Sequence, residues 1–424
     1  MKENKFQTKG FIIWGVCCLF FLYEFLLRTV VGTFQHPIML DMHLNTFQFS
    51  LLSTTIFLLV FSLMQIPVGI IVDNIGIKKS LLIGAVCCSI SSIGFAYAYS
   101  YHLLIMYRMI MGFGAAFGFI CLLISINEWM PHKYGAIFIG LSQFIGTLGP
   151  MIAAGPLETI SESSNIDWRF IFVCLGIFGV FMSFLVLFIV ENNNEKTGKH
   201  LILHKPQKIT TSVSVLFNRT QPWFIAIVSA CLYFTVEYFS ENEGRSFLIL
   251  KNINPSNAGY MITYSWIGYA IGCPLLGFLS DMLERRKLFI NICAFLNLTA
   301  VLLILYSTEK MYLQIGFILV GFSAGGQSIG FAIIGEQVKK QFIAIAFALN
   351  NAMMTILSAI MAPTIGLLLD FSKTGEHIEI NDYLFVFKIL IMISMVAIIL
   401  STYYIKETYC KSVANFTILD KSKK

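Results

Sequence analysis

Apolar runs of about 20 residues, separated by short polar segments, recur twelve times along the chain. They lie near 11–33, 49–72, 80–99, 102–126, 135–157, 169–190, 222–243, 258–280, 288–306, 311–334, 343–368 and 383–405. A run of that length matches the hydrocarbon thickness of a bilayer. In lipid, each span must pair its backbone groups within itself, so the pattern predicts twelve transmembrane helices.

Composition agrees with a membrane class. Of 424 residues, 57% are hydrophobic and only 12% charged, with mean hydropathy +0.77. A soluble domain carries about twice that share of charge. A cleaved leader is not expected, because no small-residue cleavage pattern follows Lys2, Lys5 and Lys9 and the apolar run continues to Gly32. Nine of the ten cysteines fall inside apolar runs and Cys410 in the tail, with no CxxC pair, so no metal and no cofactor is expected.

The net charge of +6 does not point to nucleic acid, because the basic residues cluster between the spans. With the amino terminus in the cytoplasm, 21 Lys and Arg fall on that side and 4 on the other, the remaining 4 lying within spans. That asymmetry sets both termini in the cytoplasm. The long polar stretch 191–221 reads as a linker between two six-helix halves, 1–190 and 222–405, with a cytoplasmic tail over 406–424. By this topology the Asn-x-Thr sequons at Asn218 and Asn415 are cytoplasmic and that at Asn297 lies in a span.

An internal repeat supports the division. Gly69 and Asp73 recur 208 residues later as Gly277 and Asp281, each followed by basic residues. Glu128 and Glu336 share that offset, GFGAAFGF at 112 and GFSAGG at 321 lie 209 apart, and DWRFIF at 167 and DYLFVF at 382 lie 215 apart.

These motifs resemble those of the major facilitator superfamily over nearly the whole chain. Gly69, Ile71, Val72, Asp73, Gly76, Lys78 and Leu81 resemble the signature of its loop between spans two and three, with Asn74 and Ile77 where arginines are usual and Lys79 adding charge. The second copy keeps Gly277, Asp281, Arg285 and Arg286, and has Glu284 where glycine is usual. Arg108, Gly112 and Gly114 resemble the RxxxGxG of span four; Gly146, Gly149 and Pro150 resemble the fifth-helix motif; Trp168 and Arg169 resemble the pair that opens span six. YEFLLR at 23–28, with MQIPVGIIVD, is similar to the phagosomal transporter group of intracellular bacteria, associated with uptake of amino acids or nucleosides. The resemblance implies an all-α membrane fold of two pseudo-repeated halves that expose a central site to each side in turn.

Asp73, Lys78, Lys79 and Glu128 form an expected gating latch, and Asp281, Arg285, Arg286 and Glu336 its second copy; ordinary topogenic charge is the alternative for both sets. Gly69 is expected to let helix ends approach closely, and Gly112, Gly114, Gly149 and Pro150 to pack helices.

Charges within spans are costly unless paired or hydrated, so they mark candidate chemistry. Glu24 and Arg28 are one turn apart on span one, free for solute or paired with each other. Glu237, Glu241 and Arg245 repeat that spacing on span seven, the last two expected to be hydrated. Tyr23 offers a hydroxyl beside Glu24, or packs as an aromatic. Arg108 could bind a solute anion or hold a neighbouring helix. Lys388 is expected to reach the outer interface. Gln65, Gln143, Gln327, Asn350 and Asn351 are neutral candidates for the cavity wall.

Together these features predict a secondary active transporter of a small polar solute, importing an amino acid or related zwitterion with protons as the coupling ion. The expected partners are that solute and the bilayer, with a monomer in the inner membrane. An exporter of a siderophore or drug, which the 39 phenylalanines leave open, and a non-transporting receptor are the alternatives. GFGAAFG lacks the strand and GK[ST] of a phosphate loop, and no HExxH occurs, so an enzyme is not expected.

Overall fold

The computed structural model describes residues 8–130, 135–164, 166–192, 219–338, 343–373 and 378–411. Most of the expected linker and of the tail, including Asn218 and Asn415, lies outside these residues, as does the Asp73 side chain. The chain divides into two compact units, Met1–Lys205 and Pro206–Lys424. Twelve helices among the described residues are long and apolar enough to cross a membrane.

The first unit contains α1 (Thr8–Thr33), α2 (Gln35–Met42), α3 (Thr46–Ser50), a π-helical turn (Leu51–Thr55), α4 (Ile56–Ala96), α5 (Tyr101–Trp129), α6 (Gly135–Ala153), α7 (Gly155–Ser164) and α8 (Trp168–Ile189). Spans two and three are not separated by a loop. They run on through α4, broken by a kink at Gly76, whose φ is 80°. Local chemistry sets the other starts: Asn45 and Gln48 form a capping box for α3, and Ser100 accepts from the Leu103 amide at the start of α5. Arg169 closes the far end of α4 by donating to the carbonyls of Ala96 and Ala98 at 2.7 and 2.8 Å while pairing with Asp41 at 2.8 Å. α1 packs against α5 and α6, and α4 against α5 and α8.

The second unit contains α9 (Thr220–Glu241), α10 (Gly244–Leu250), α11 (Pro255–Met282), α12 (Arg286–Tyr306), α13 (Lys310–Ala324), α14 (Gly326–Glu336), α15 (Ile343–Ser372), α16 (Ile380–Val386), α17 (Lys388–Ile399) and a closing π-helical turn (Leu400–Tyr404). Asn254 caps α11, with Pro255 at its first position. α9 packs against α15 and α14. This pairing of the seventh span with the eleventh and tenth repeats that of the first with the fifth and fourth.

The second unit has a polar hub at Asn297. Its Oδ1 accepts from Ser394 at 2.7 Å and Thr235 at 3.3 Å, while its Nδ2 donates to Ser323 Oγ at 3.2 Å and the Leu232 carbonyl at 3.4 Å. Four helices, α9, α12, α13 and α17, thereby meet at one buried amide.

Candidate substrate and gating residues

Glu24 is buried on α1 and lies against α5, where Gly118 leaves room for it. A Cβ built at Gly118 would come 3.0 Å from Glu24 Cγ and 3.4 Å from Oε1. Arg28 is also buried, its guanidinium 5.4 Å from the Phe25 ring centre. Tyr23 points elsewhere. Its hydroxyl donates to the Leu175 carbonyl at 2.8 Å, and its ring meets Phe178 edge-on. It ties α1 to α8, so of the two roles expected for Tyr23 this geometry is that of a packing aromatic.

Arg108 is fully buried and serves the main chain. Nε donates to the Leu52 carbonyl at 3.2 Å, Nη1 to Leu27 at 2.7 Å, and Nη2 to Arg28 and Ser53 at 2.7 and 2.6 Å. Its guanidinium lies 4.4 Å from the Phe57 ring centre. Of the two roles expected for Arg108, this geometry is that of a clamp between α1 and the π-helical turn. The packing glycines lie at close crossings: a Cβ at Gly112 would be 2.6 Å from the Phe57 carbonyl, one at Gly114 2.8 Å from the Gly84 carbonyl, and one at Gly149 2.4 Å from the Leu22 carbonyl. Pro150 follows within α6 without ending it.

In the second unit Glu237 is fully buried on α9 and accepts from the Ser358 hydroxyl on α15. Glu241 is buried too, where hydration was expected. It is the last residue of α9. Asn242, at φ −133° and ψ −122°, breaks the helix, so Arg245 belongs to α10 and the expected four-residue stripe stops at Glu241. Beyond the break lies a third buried acid absent from the sequence reading. Glu243 accepts from the Tyr383 hydroxyl at 2.5 Å, in a cluster with Phe247 and Phe387.

Of the neutral candidates, Gln327 donates to the Tyr269 hydroxyl, and Asn350 is fully buried. Lys388 is exposed, its ammonium 5.4 Å from the Phe385 ring centre.

The gating residues of the second unit converge on Arg286, buried at the start of α12. It pairs with Asp281 at 2.5 Å and Glu336 at 3.0 Å, and donates to Ser280 Oγ at 3.1 Å. Arg285 stands apart, exposed beside the Tyr409 ring. Neither Gly69 nor Gly277 marks a close approach, since a Cβ at either meets nothing within 4 Å. The expectation for Gly69 is corrected. The tight position in the first unit is Gly76, where a Cβ would fall 2.5 Å from the Asn192 side chain. Of the other gating candidates in that unit, Glu128 is buried, Lys78 is half-buried and Lys79 exposed. Nearby, Lys9 pairs with the exposed Glu191 at 2.5 Å, which holds that carboxyl below the usual range.

Twelve apolar helices in two units define a multi-pass membrane protein, with buried acids on the first helix of each unit. The chain belongs to the Major Facilitator Superfamily, whose family model matches residues 16–241 and 244–415. It is 24% identical over 306 residues to SauU of Cupriavidus necator, named a probable sulfoacetate transporter, covering 67% of each chain. It is also 24% identical over 304 residues to the uncharacterized transporter YcxA of Bacillus subtilis, covering 64% of this chain and 69% of that one. Among solved structures it is similar to a bacterial homologue of the lysosomal transporter Spinster in an inward-facing, occupied conformation. The TM-score is 0.71, identity 15%, and coverage 96% of this chain and 97% of that one. It is similar also to the nucleoside transporter NupG, with TM-score 0.76, 15% identity and coverage of 94% and 100%.

Proposed function

We propose that this secondary transporter imports a small polar solute, best an amino acid or related zwitterion, in symport with protons. It would act as a monomer in the inner membrane with both termini cytoplasmic, in the manner of the phagosomal transporter group. The observation that carries this reading is the matched placement of two buried acids. Glu24 comes 16 residues after the start of Thr8–Thr33, and Glu237 comes 17 after the start of Thr220–Glu241. An acid at that depth is costly unless it is paired or hydrated, which supports a role for both residues in binding solute or the coupling ion. Arg28, one turn beyond Glu24, supplies the opposite charge that a zwitterion requires. Asp73, Lys78, Lys79 and Glu128, with Asp281, Arg286 and Glu336 in the second half, are the gate of this cycle.

A second reading, a small organic anion, is supported by the relative named for sulfoacetate. Reconstituted protein separates the two. Amino acids, and not their amides or esters, should raise the unfolding temperature and drive counterflow; a response confined to sulfonates or carboxylates would replace the zwitterion. Glu24→Gln should abolish uphill uptake while sparing counterflow. Uphill uptake by that variant would remove Glu24 from coupling.

A further inference from the structure

The two gating segments, the kink at Gly76 and the turn before α12, are each held by the segment that leaves the sixth span of the same half. In the first unit, Asn192 follows α8 and its Oδ1 accepts from the Lys78 amide at 3.0 Å. In the second, Glu407 follows the closing π-helical turn, and its two oxygens accept from the Arg286 and Lys287 amides, both at 2.9 Å. Lys78 and Arg286 lie 208 residues apart, and Asn192 and Glu407 lie 215 apart. These are the offsets of the internal repeat at the gating motif and at the sixth span. The same main-chain donor therefore meets the same exit position in both halves, although one acceptor is an amide and the other a carboxylate.

The backbone explains the need. Two residues before each donor, the chain is left-handed: φ is 80° at Gly76 and 51° at Glu284. That turn starts a new helix whose first amides have no partner within it. Arg285, the residue before α12, provides no side-chain cap. The exit segment provides one instead. In the second unit the attachment is broader, because Thr408 also donates its hydroxyl to Glu336 and the Cys410 thiol lies 3.7 Å from the Ser280 carbonyl. The tail thus binds both sides of the Arg286 ion pairs.

We infer that Asn192 and Glu407 are positioning residues of the transport cycle, clasps that hold the joint after the second span of each half and so set the balance between the inward- and outward-facing states. This rests on the reading of those joints as the gate.

The test uses the full chain in lipid nanodiscs. Amide hydrogen exchange reads the clasp, and distances between spin labels on the two halves read the state. Asn192→Ala should speed exchange at Lys78, and Glu407→Ala at Arg286 and Lys287, each on the order of tenfold and each confined to its own half. Asn192→Asp, which keeps an acceptor, should restore protection. Both alanine variants should also shift the label-distance populations, with solute affinity in counterflow moving only as far as those populations require. Unchanged exchange in both variants would overturn the inference. So would faster exchange with unchanged populations, because the contact would then be a helix cap alone. Exchange needs no solute, so failure of the transport reading, seen as absent flux in the unaltered protein, is distinguishable from failure of the clasp.

Discussion

Arg108 Nη2 donates to the main-chain carbonyl of Arg28 at 2.7 Å, so a residue suited to solute anions is spent on the helix that carries the candidate site. Removing a buried donor orphans its acceptors, at about 1–3 kcal/mol for each group left unsatisfied. Arg108→Ala should therefore lower the unfolding temperature strongly, with poor recovery in detergent. Arg108→Lys, a point charge without the planar fork, should retain part of the loss. Solute affinity in the folded Lys variant should stay within a few-fold of the original; a collapse of affinity with normal stability would return Arg108 to the binding site.

Gly118→Ala tests where Glu24 lies. The added methyl would sit 3.0 Å from Glu24 Cγ, and overpacking of this kind costs about 1–3 kcal/mol. Glu24→Ala removes the obstacle, so Gly118→Ala should cost far less in that background than in the original protein. Thermal unfolding of the four proteins gives the coupling. Additive effects would mean that the Glu24 side chain does not rest against α5.

Asn297→Leu removes a hub that touches four helices. Hydrogen bonds between membrane helices contribute about 0.6 kcal/mol on average and up to about 1.7, so the net loss should be a few kcal/mol at most. Asn297→Asp keeps both acceptor contacts and loses the donation to Ser323 and Leu232. It should fall between the original and the Leu variant in unfolding temperature. Equal stability of all three would deny the hub an energetic role.

Glu284 and Gly76 hold equivalent places in the repeat, and both are left-handed. A non-glycine residue there carries strain on the order of 1 kcal/mol or more. Glu284→Gly should thus be neutral or mildly stabilising. The reverse change, Gly76→Ala, should destabilise, since it adds backbone strain and drives a Cβ into Asn192. Unfolding temperatures of the two variants, compared in one detergent, check the contrast.

Residue spacing revealed the spans because the bilayer imposes length and apolarity directly. It also revealed the repeat, since Asp73 and Asp281 mark the same joint. It could not orient Arg108: the carbonyls of Leu52 and Ser53 become available only through the π-helical turn, which leaves no mark in hydropathy. The stripe drawn through Glu237, Glu241 and Arg245 failed at Asn242, where Gly244 packs so closely that a Cβ would fall 2.1 Å from the Phe239 carbonyl. Glu243 was hidden by the same break. Asn192 and Glu407 lay in polar segments that carry no periodicity, and the 215-residue offset was the only signal for them.

The π-helical turn at Leu51–Thr55 also has a rotational consequence. It is closed by the Ile56 amide donating to the Leu51 carbonyl, five residues back, so it carries one residue more than an α-turn. One residue corresponds to about 100° of rotation about a helix axis. The faces of span two before and after the turn are therefore out of phase. A reagent-accessibility scan from Thr46 to Gln65 should show a stripe that jumps sideways partway along, and deleting one residue of the turn would swing the portion leading into Gly76 toward new neighbours.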